Sequence, residues 1–227
     1  MASIFEFIGS NFWHVAPILL AGALGLAITI ERGIVLLLEY PIAKMPQFID
    51  KLRDLIMTDR LTDALALCEQ YRSKPAANVI KEALLRAHQP EDMIEEGLHI
   101  SVAEASYKIQ LRTNYLATIA NVSTLLGLFG TIVGMIHAFE AVGSANPQQR
   151  SALLAAGISM AMNATMMGLA VAIPCMVAYS ILISKSNFLN SQVEDAAARI
   201  IDLIKQRFYE AENEPFKEAN PSGSSQK

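Results

Sequence analysis

The stretch TLLGLFGTIVGMIHAFEAVG, residues 124–143, decides the fold. Most of it belongs to a run, 114–139, that contains no Asp, Glu, Lys or Arg. A run of that length exceeds the roughly 20 residues needed to cross a hydrocarbon core about 30 Å thick, so it reads as a membrane span. A plain anchor has no use for Gly127, Gly130 and Gly134, nor for two threonines, Thr124 and Thr131, seven residues apart. Two further uncharged blocks, 7–30 and 151–184, bring the number of spans to three.

The chain is 52% hydrophobic and 18% charged, and the charges are segregated from the apolar blocks rather than interspersed with them. The first block has no Lys or Arg ahead of it and is too long for a signal-peptide core, so it is expected to be a retained helix. Ten basic residues lie between Glu39 and Thr113 and six follow Ser184, whereas the segment before the first block has none and the loop 140–150 has only Arg150. Basic residues mark the cytoplasmic side. The N-terminus and the short loop are therefore expected outside, with the long middle segment and the tail inside. The net charge of -4 carries no nucleic-acid footprint, and Cys68 and Cys175 are expected as free thiols. His88 and His99 have no metal spacing, no nucleophile stands beside a base, and no phosphate loop is present, so neither catalytic residues, a metal nor a cofactor is expected.

After the first span, Pro41 and Pro46 break the chain, and apolar residues then recur at helical spacing in 45–56, 61–71 and 76–87. These predict a small cytoplasmic helical bundle. From Pro90 a single helix, about 75 Å long at 1.5 Å per residue, is expected to run through to Phe139, with Ile94, Leu98, Val102, Ala105 and Ile109 as its seam. The third span is expected to continue likewise, with Leu189, Val193, Ala196, Ile200 and Leu203 as a second seam. Both seams are expected to be buried between subunits. The map is an outer N-terminus 1–12, a first span 13–38, a cytoplasmic segment 39–113, a second span 114–139, an outer loop 140–151, a third span 152–184, a cytoplasmic extension 185–212 and an unstructured tail 213–227. The fold class is an all-α integral membrane protein that forms a ring.

Lipid gives helices no hydrophobic reason to associate, so close packing through small residues and interhelical hydrogen bonds must supply it. Gly127, Gly130, Gly134 and Gly168 suit that role, and Pro174 is placed to bend the third helix. Thr131 and Thr165 each lie on a small-residue face, and Ser159 and Asn163, four apart, form a second polar strip. A threonine can satisfy itself on its own helix. Asn163 cannot, and must face protein or water. A polar pathway and ordinary interhelical hydrogen bonding remain equal alternatives for these groups. His137 is placed at the outer interface, as are Trp13 and His14.

Three motifs, ERGIVLL (31–37), LLGLFGTIVGMIHAF (125–139) and GISMAMNATMMGLAVAIPCMVAY (157–179), resemble the MotA/TolQ/ExbB family, and within it the TolQ/ExbB branch. The resemblance implies a pentamer of long helices in a bacterial inner membrane. Two copies of a single-span TolR/ExbD-like protein, each with a membrane Asp, would stand in its central pore. Ion flow through that acid would drive rotation and pass work to the periplasm, with a TonB/TolA-like effector as a further partner. It further implies that Thr131 and Thr165 face the pore and that Gly127, Gly130, Gly134, Gly168 and Pro174 occupy packing and kink positions; Ser159, Asn163 and Met160 are expected to line the pathway with the two threonines. Where ExbB proteins read GISEAL, this chain has Met160, so the titratable group must come from the partner; the proton is the first choice of ion, with sodium the other. The alternative function is a structural membrane scaffold without ion conduction.

Overall fold

The computed structural model describes the backbone of residues 12–42 and 44–219, and the side chains of 16–42 and 44–209. The expectations for the N-terminus, for the side chains of Trp13 and His14, and for 220–227 lie outside the described residues. Among those described there is only helix: α1 (Phe12–Ile34) with a π-helical turn (Val35–Glu39), α2 (Met45–Met57), α3 (Leu61–Gln70), α4 (Pro75–Leu85), α5 (Glu91–Gln110), α6 (Thr113–Ser144) and α7 (Arg150–Ala219). Three of these stretches are long and apolar enough to cross a membrane. The wide turn closes with the Tyr40 amide donating to the Val35 carbonyl at 2.9 Å.

The chain divides into two units. The first holds α1, α6 and the part of α7 that ends at Ser184. Its helices meet through small residues. A Cβ on Gly22 would lie 3.1 Å from Val171, and one on Gly25 would lie 2.6 Å from the Cys175 sulfur and 3.3 Å from Ile119. Ala120, Ala172 and Cys175 are buried there, with Ile119 and Val171 packed around them. Large apolar side chains such as Leu125, Phe129, Ile132 and Phe139 are exposed on α6, as expected of a surface that meets lipid or another helix.

The second unit holds α2 to α5 and the later part of α7. Consecutive helices pack in order, α2 on α3, α3 on α4 and α4 on α5. Phe48, Leu52 and Ile56 of α2, Cys68 of α3, and Val79, Ile80 and Leu84 of α4 form its interior. Phe48 meets Tyr71 edge to face at 5.1 Å. Leu189, Val193, Ala196, Ile200 and Leu203 are all buried here, together with Ile94, Leu98, Ala105 and Ile109. Both seams are thus consumed within one chain, which corrects the expectation that they lie between subunits. Their apolar area finds a nearer partner in the chain itself.

Two further expectations are revised. The single helix from Pro90 to Phe139 is broken, because α5 ends at Gln110 and Arg112 is left-handed with φ 63° and ψ -14°. That conformation costs a non-glycine residue about 1–2 kcal/mol. Here the Arg112 guanidinium donates to Glu31 Oε1 at 2.7 Å, tying the start of α6 to the end of α1. The last helix also runs to Ala219, into the segment 213–227 that was expected to be unstructured.

Lys205 holds the later part of α7 to α5, its ammonium lying 2.5 Å from Glu91 Oε1 and 2.8 Å from Glu95 Oε1; Arg207 pairs with Asp59. The hydrogen bond from Lys205, and then its charge, lowers the Glu95 pKa, while the two carboxylates raise that of Lys205. A lowered carboxylate stabilises above its ordinary pKa, and that contribution is lost as pH falls through the lowered value. Acidification below the usual carboxylate range is therefore expected to loosen this end of α7, as is Lys205→Met at neutral pH. Corrected amide exchange over 200–207 should rise severalfold at most, because exposed pairs are screened by water. No change in exchange in either case would assign the hold to the apolar seam alone.

Cys68 and Cys175 are both free and buried. Burial pushes the Cys68 thiol up to about 12, against the opposing charge of Lys81. A maleimide should consequently fail to label Cys68 near neutral pH until the second unit is unfolded. Rapid labelling of the folded protein at that position would contradict its placement.

Candidate functional site

Helices α6 and α7 run antiparallel and meet along a ladder of small residues. A Cβ on Gly127 would stand 3.2 Å from the Gly168 Cα, one on Gly130 2.6 Å from the Ala164 Cβ and one on Gly134 3.1 Å from Ala161, and one on Gly157 would overlap the Ala138 Cβ. The tightest backbone approach is at Gly168, where a Cβ would be 2.7 Å from the Ser123 carbonyl oxygen and 2.9 Å from the Gly127 Cα. Only glycine allows two helix backbones this close.

Beside the ladder lies an open groove of about 730 Å³, with Thr131 and Met135 on its α6 side and Thr165, Met162, Met166 and Leu169 among its residues from α7. Thr131 and Thr165 therefore come together. Thr131 Oγ1 donates to the Leu128 carbonyl at 2.6 Å, and Thr165 Oγ1 donates across the interface to the Gly127 carbonyl at 3.5 Å. With both protons turned to α6, each hydroxyl offers the groove lone pairs. Such oxygens accept from a protonated donor or coordinate a hard cation.

No charged residue lines this groove. Met160 is half-buried outside the lining, about 140° round α7 from Thr165 at 100° per residue. Ser159 is exposed and Asn163 half-buried, and neither lines the groove. Of the five residues expected along the pathway, the groove thus gathers the two threonines. His137 Nδ1 lies 3.5 Å from Glu140 Oε2, both exposed near the end of α6. The helix is continuous across Pro174, which is exposed. Among the described residues, no cluster of His, Cys, Asp or Glu could hold a metal ion. Helical spacing puts Met135 on the face of Thr131 and Met162 on that of Thr165, whereas Met166 was not singled out from the sequence; the groove joins all three into one surface. Thioether side chains are flexible and polarizable, so this wall can adapt to what lies against it.

Three helices long and apolar enough to span a membrane, two of them meeting beside an uncharged groove, make this an all-helical membrane protein. Residues 71–195 match the MotA/TolQ/ExbB proton channel family, and the chain belongs to that family. It is 31% identical over 163 residues to an ExbB homologue of Methanothermobacter thermautotrophicus, covering 71% of this chain and 53% of that one. It is 28% identical over 190 residues to the Tol-Pal system protein TolQ of Haemophilus influenzae, covering 71% and 82%. It is 35% identical over 106 residues to the biopolymer transport protein ExbB of Pseudomonas putida, covering 46% and 32%. The chain thus spans about half of the archaeal relative and a third of the Pseudomonas one.

Proposed function

We propose that this chain is a TolQ/ExbB-like subunit of an ion-driven motor in a bacterial inner membrane, acting as a channel component rather than as an enzyme. Five copies form a ring around two copies of a TolR/ExbD-like single-span protein whose membrane Asp supplies the titratable group. The N-terminus lies in the periplasm and the C-terminus in the cytoplasm, in keeping with the distribution of basic residues. The observation that carries the reading is the pairing of Thr131 and Thr165 in one groove that contains no charge. Their lone pairs suit a protonated carboxyl, a hydronium ion or a hard cation, and would not by themselves stabilise a bare carboxylate. An acid from elsewhere is therefore needed, and Gly127, Gly130, Gly134 and Gly168 keep the two helices that receive it in register, with Pro174 at the kink position of α7. Ser159, Asn163 and Met160 belong to the surroundings of that pathway.

The test is co-reconstitution of the full chain with a TolR/ExbD-like partner in proteoliposomes carrying a pH-sensitive dye. Proton entry that requires both proteins, and a five-to-two complex by native mass spectrometry, is the expected result. A chain that remains a monomer or dimer with the partner present would sink the ring. Full assembly without any ion entry would favour the structural scaffold.

A further inference from the structure

Away from the two threonines, α6 and α7 carry polar groups that the ladder does not use, one of them at Ala170 on the far edge of the groove. On α6, Asn114, Thr118 and Asn121 recur at i, i+4 and i+7, and all three are exposed. The Asn121 carboxamide has no partner among the described residues. On α7, Pro174 lacks an N–H, which removes the helical donor from the carbonyl four residues back, that of Ala170. Ala170 and Pro174 are both exposed. A carboxamide donor and a carbonyl acceptor at membrane depth cannot be satisfied by lipid.

The small-residue ladder fixes how these groups lie. Contacts pair Gly127 with Gly168, Gly134 with Ala161 and Ala138 with Gly157, and the same register sets Asn121 level with Pro174. Ala170 is one turn earlier, and its carbonyl points along α7 toward that level. Around α6, Thr131 lies about 40° from Gly127 and Asn121 about 120° in the same sense, past the groove and away from α7. Around α7, Thr165 lies about 60° from Gly168 and Ala170 about 200°. The donor and acceptor therefore share one depth on opposite outer sides of the helix pair. They are too far round to meet within one chain. The side facing away from the groove is taken by α1, through Gly22 on Val171 and Gly25 on Cys175.

We infer that the occupant is a second copy of this chain, whose α6 face seats on the α7 face of its neighbour so that Asn121 donates to the Ala170 carbonyl released by Pro174. Copies standing the same way up in a membrane bring equal depths together, and a donor side that meets a different, acceptor side is a head-to-tail contact. Such contacts close into a ring when the rotation between neighbours divides a full turn, and a common membrane plane removes the rise that would make a helical filament. With neighbours on the two flanks and α1 on the third side, the two threonines are left facing the ring's interior, and the neighbour's α6 borders the groove at Ala170. The inference rests on the ring reading and adds which faces meet and through which polar pair.

The test uses intact membranes and the full chain. Oxidising an Asn121→Cys, Ala170→Cys double variant should give a ladder of crosslinked species ending at the closed ring, while each single variant stays uncrosslinked. Asn121→Leu and Pro174→Ala, which remove the donor and return a helical donor to Ala170, should each weaken the ring against detergent, and the double variant should weaken it no further. If the parent is a ring by native mass spectrometry but the ladder is absent, or Asn121→Cys alone gives dimers, the assignment of faces is wrong and the ring stands. If the parent forms no ring, the ring reading fails and this contact with it.

Discussion

Thr131→Val is expected to abolish ion-coupled work while leaving the amount of protein and its assembly unchanged, and Thr165→Val to do the same. Valine keeps the branched shape and volume of threonine and removes the oxygen. The loss in the groove is thus one acceptor for a passing ion or protonated acid, not a cavity. A hydrogen bond to a charged group contributes about 1.5–3 kcal/mol. That range corresponds to about 10- to 100-fold in occupancy or rate, at 1.4 kcal/mol per decade. The two positions differ in one respect. Thr131 bonds within its own helix at 2.6 Å, whereas Thr165 reaches across to the Gly127 carbonyl at 3.5 Å, so Thr165→Val also removes a weak link between α6 and α7. Serine at either position should restore most of the function, and a serine variant as inactive as the valine one would point to packing rather than to the oxygen. Proton entry into proteoliposomes with the partner present is the measurement, with native mass spectrometry as the control for assembly. Unchanged entry in both valine variants would sink the pathway.

Gly168→Leu should be the most damaging single change to the fold of the membrane unit. The added Cβ would meet the Ser123 carbonyl oxygen at 2.7 Å and the Gly127 Cα at 2.9 Å, and both are backbone atoms that no rotamer change can move. Overpacking ordinarily costs about 1–3 kcal/mol, and a site that cannot relax belongs at or beyond the upper end. The helices must separate or the chain must fail to accumulate. Gly33→Ala and Gly143→Ala are the matched controls, since nothing lies within 4 Å of a Cβ at either position. Thermal denaturation in mild detergent should show a large fall for Gly168→Leu and little change for the controls. A Gly168→Leu protein that melts with the parent would mean that α6 and α7 are not held as described.

That Thr131 and Thr165 face one space followed from the resemblance of their two motifs, whereas the three spans and the helical bundle of the second unit were legible in length and in 3.6-residue periodicity. The left-handed Arg112 was not. No glycine, asparagine or proline marks the break, and the contact that accompanies it, with Glu31, joins residues 81 positions apart. Local pattern cannot see such a partner. The burial of Leu189, Val193 and Ile200 inside their own chain was hidden for a related reason. An apolar seam announces that it needs covering, and only three-dimensional proximity decides by what. Asn121 escaped notice because its spacing with Asn114 and Thr118 marks a polar face without saying what that face meets. Its depth relative to Pro174 came from glycine contacts between two helices.

The glycine ladder also decides which part of the assembly is free to move. At Gly127 and Gly168 the two backbones touch with no side chains between them, and at Gly157 and Ala138 a single methyl fills the space. Sliding one helix past the other by a single 1.5 Å residue step would drive methyl groups into main-chain atoms at several heights at once. The hairpin therefore behaves as a stiff strut. If the chain works as proposed, torque raised in the groove would not be absorbed by internal slip. It would reappear as displacement of whatever rests against the threonines, giving the surrounding wall the part of the fixed frame and its occupant that of the shaft.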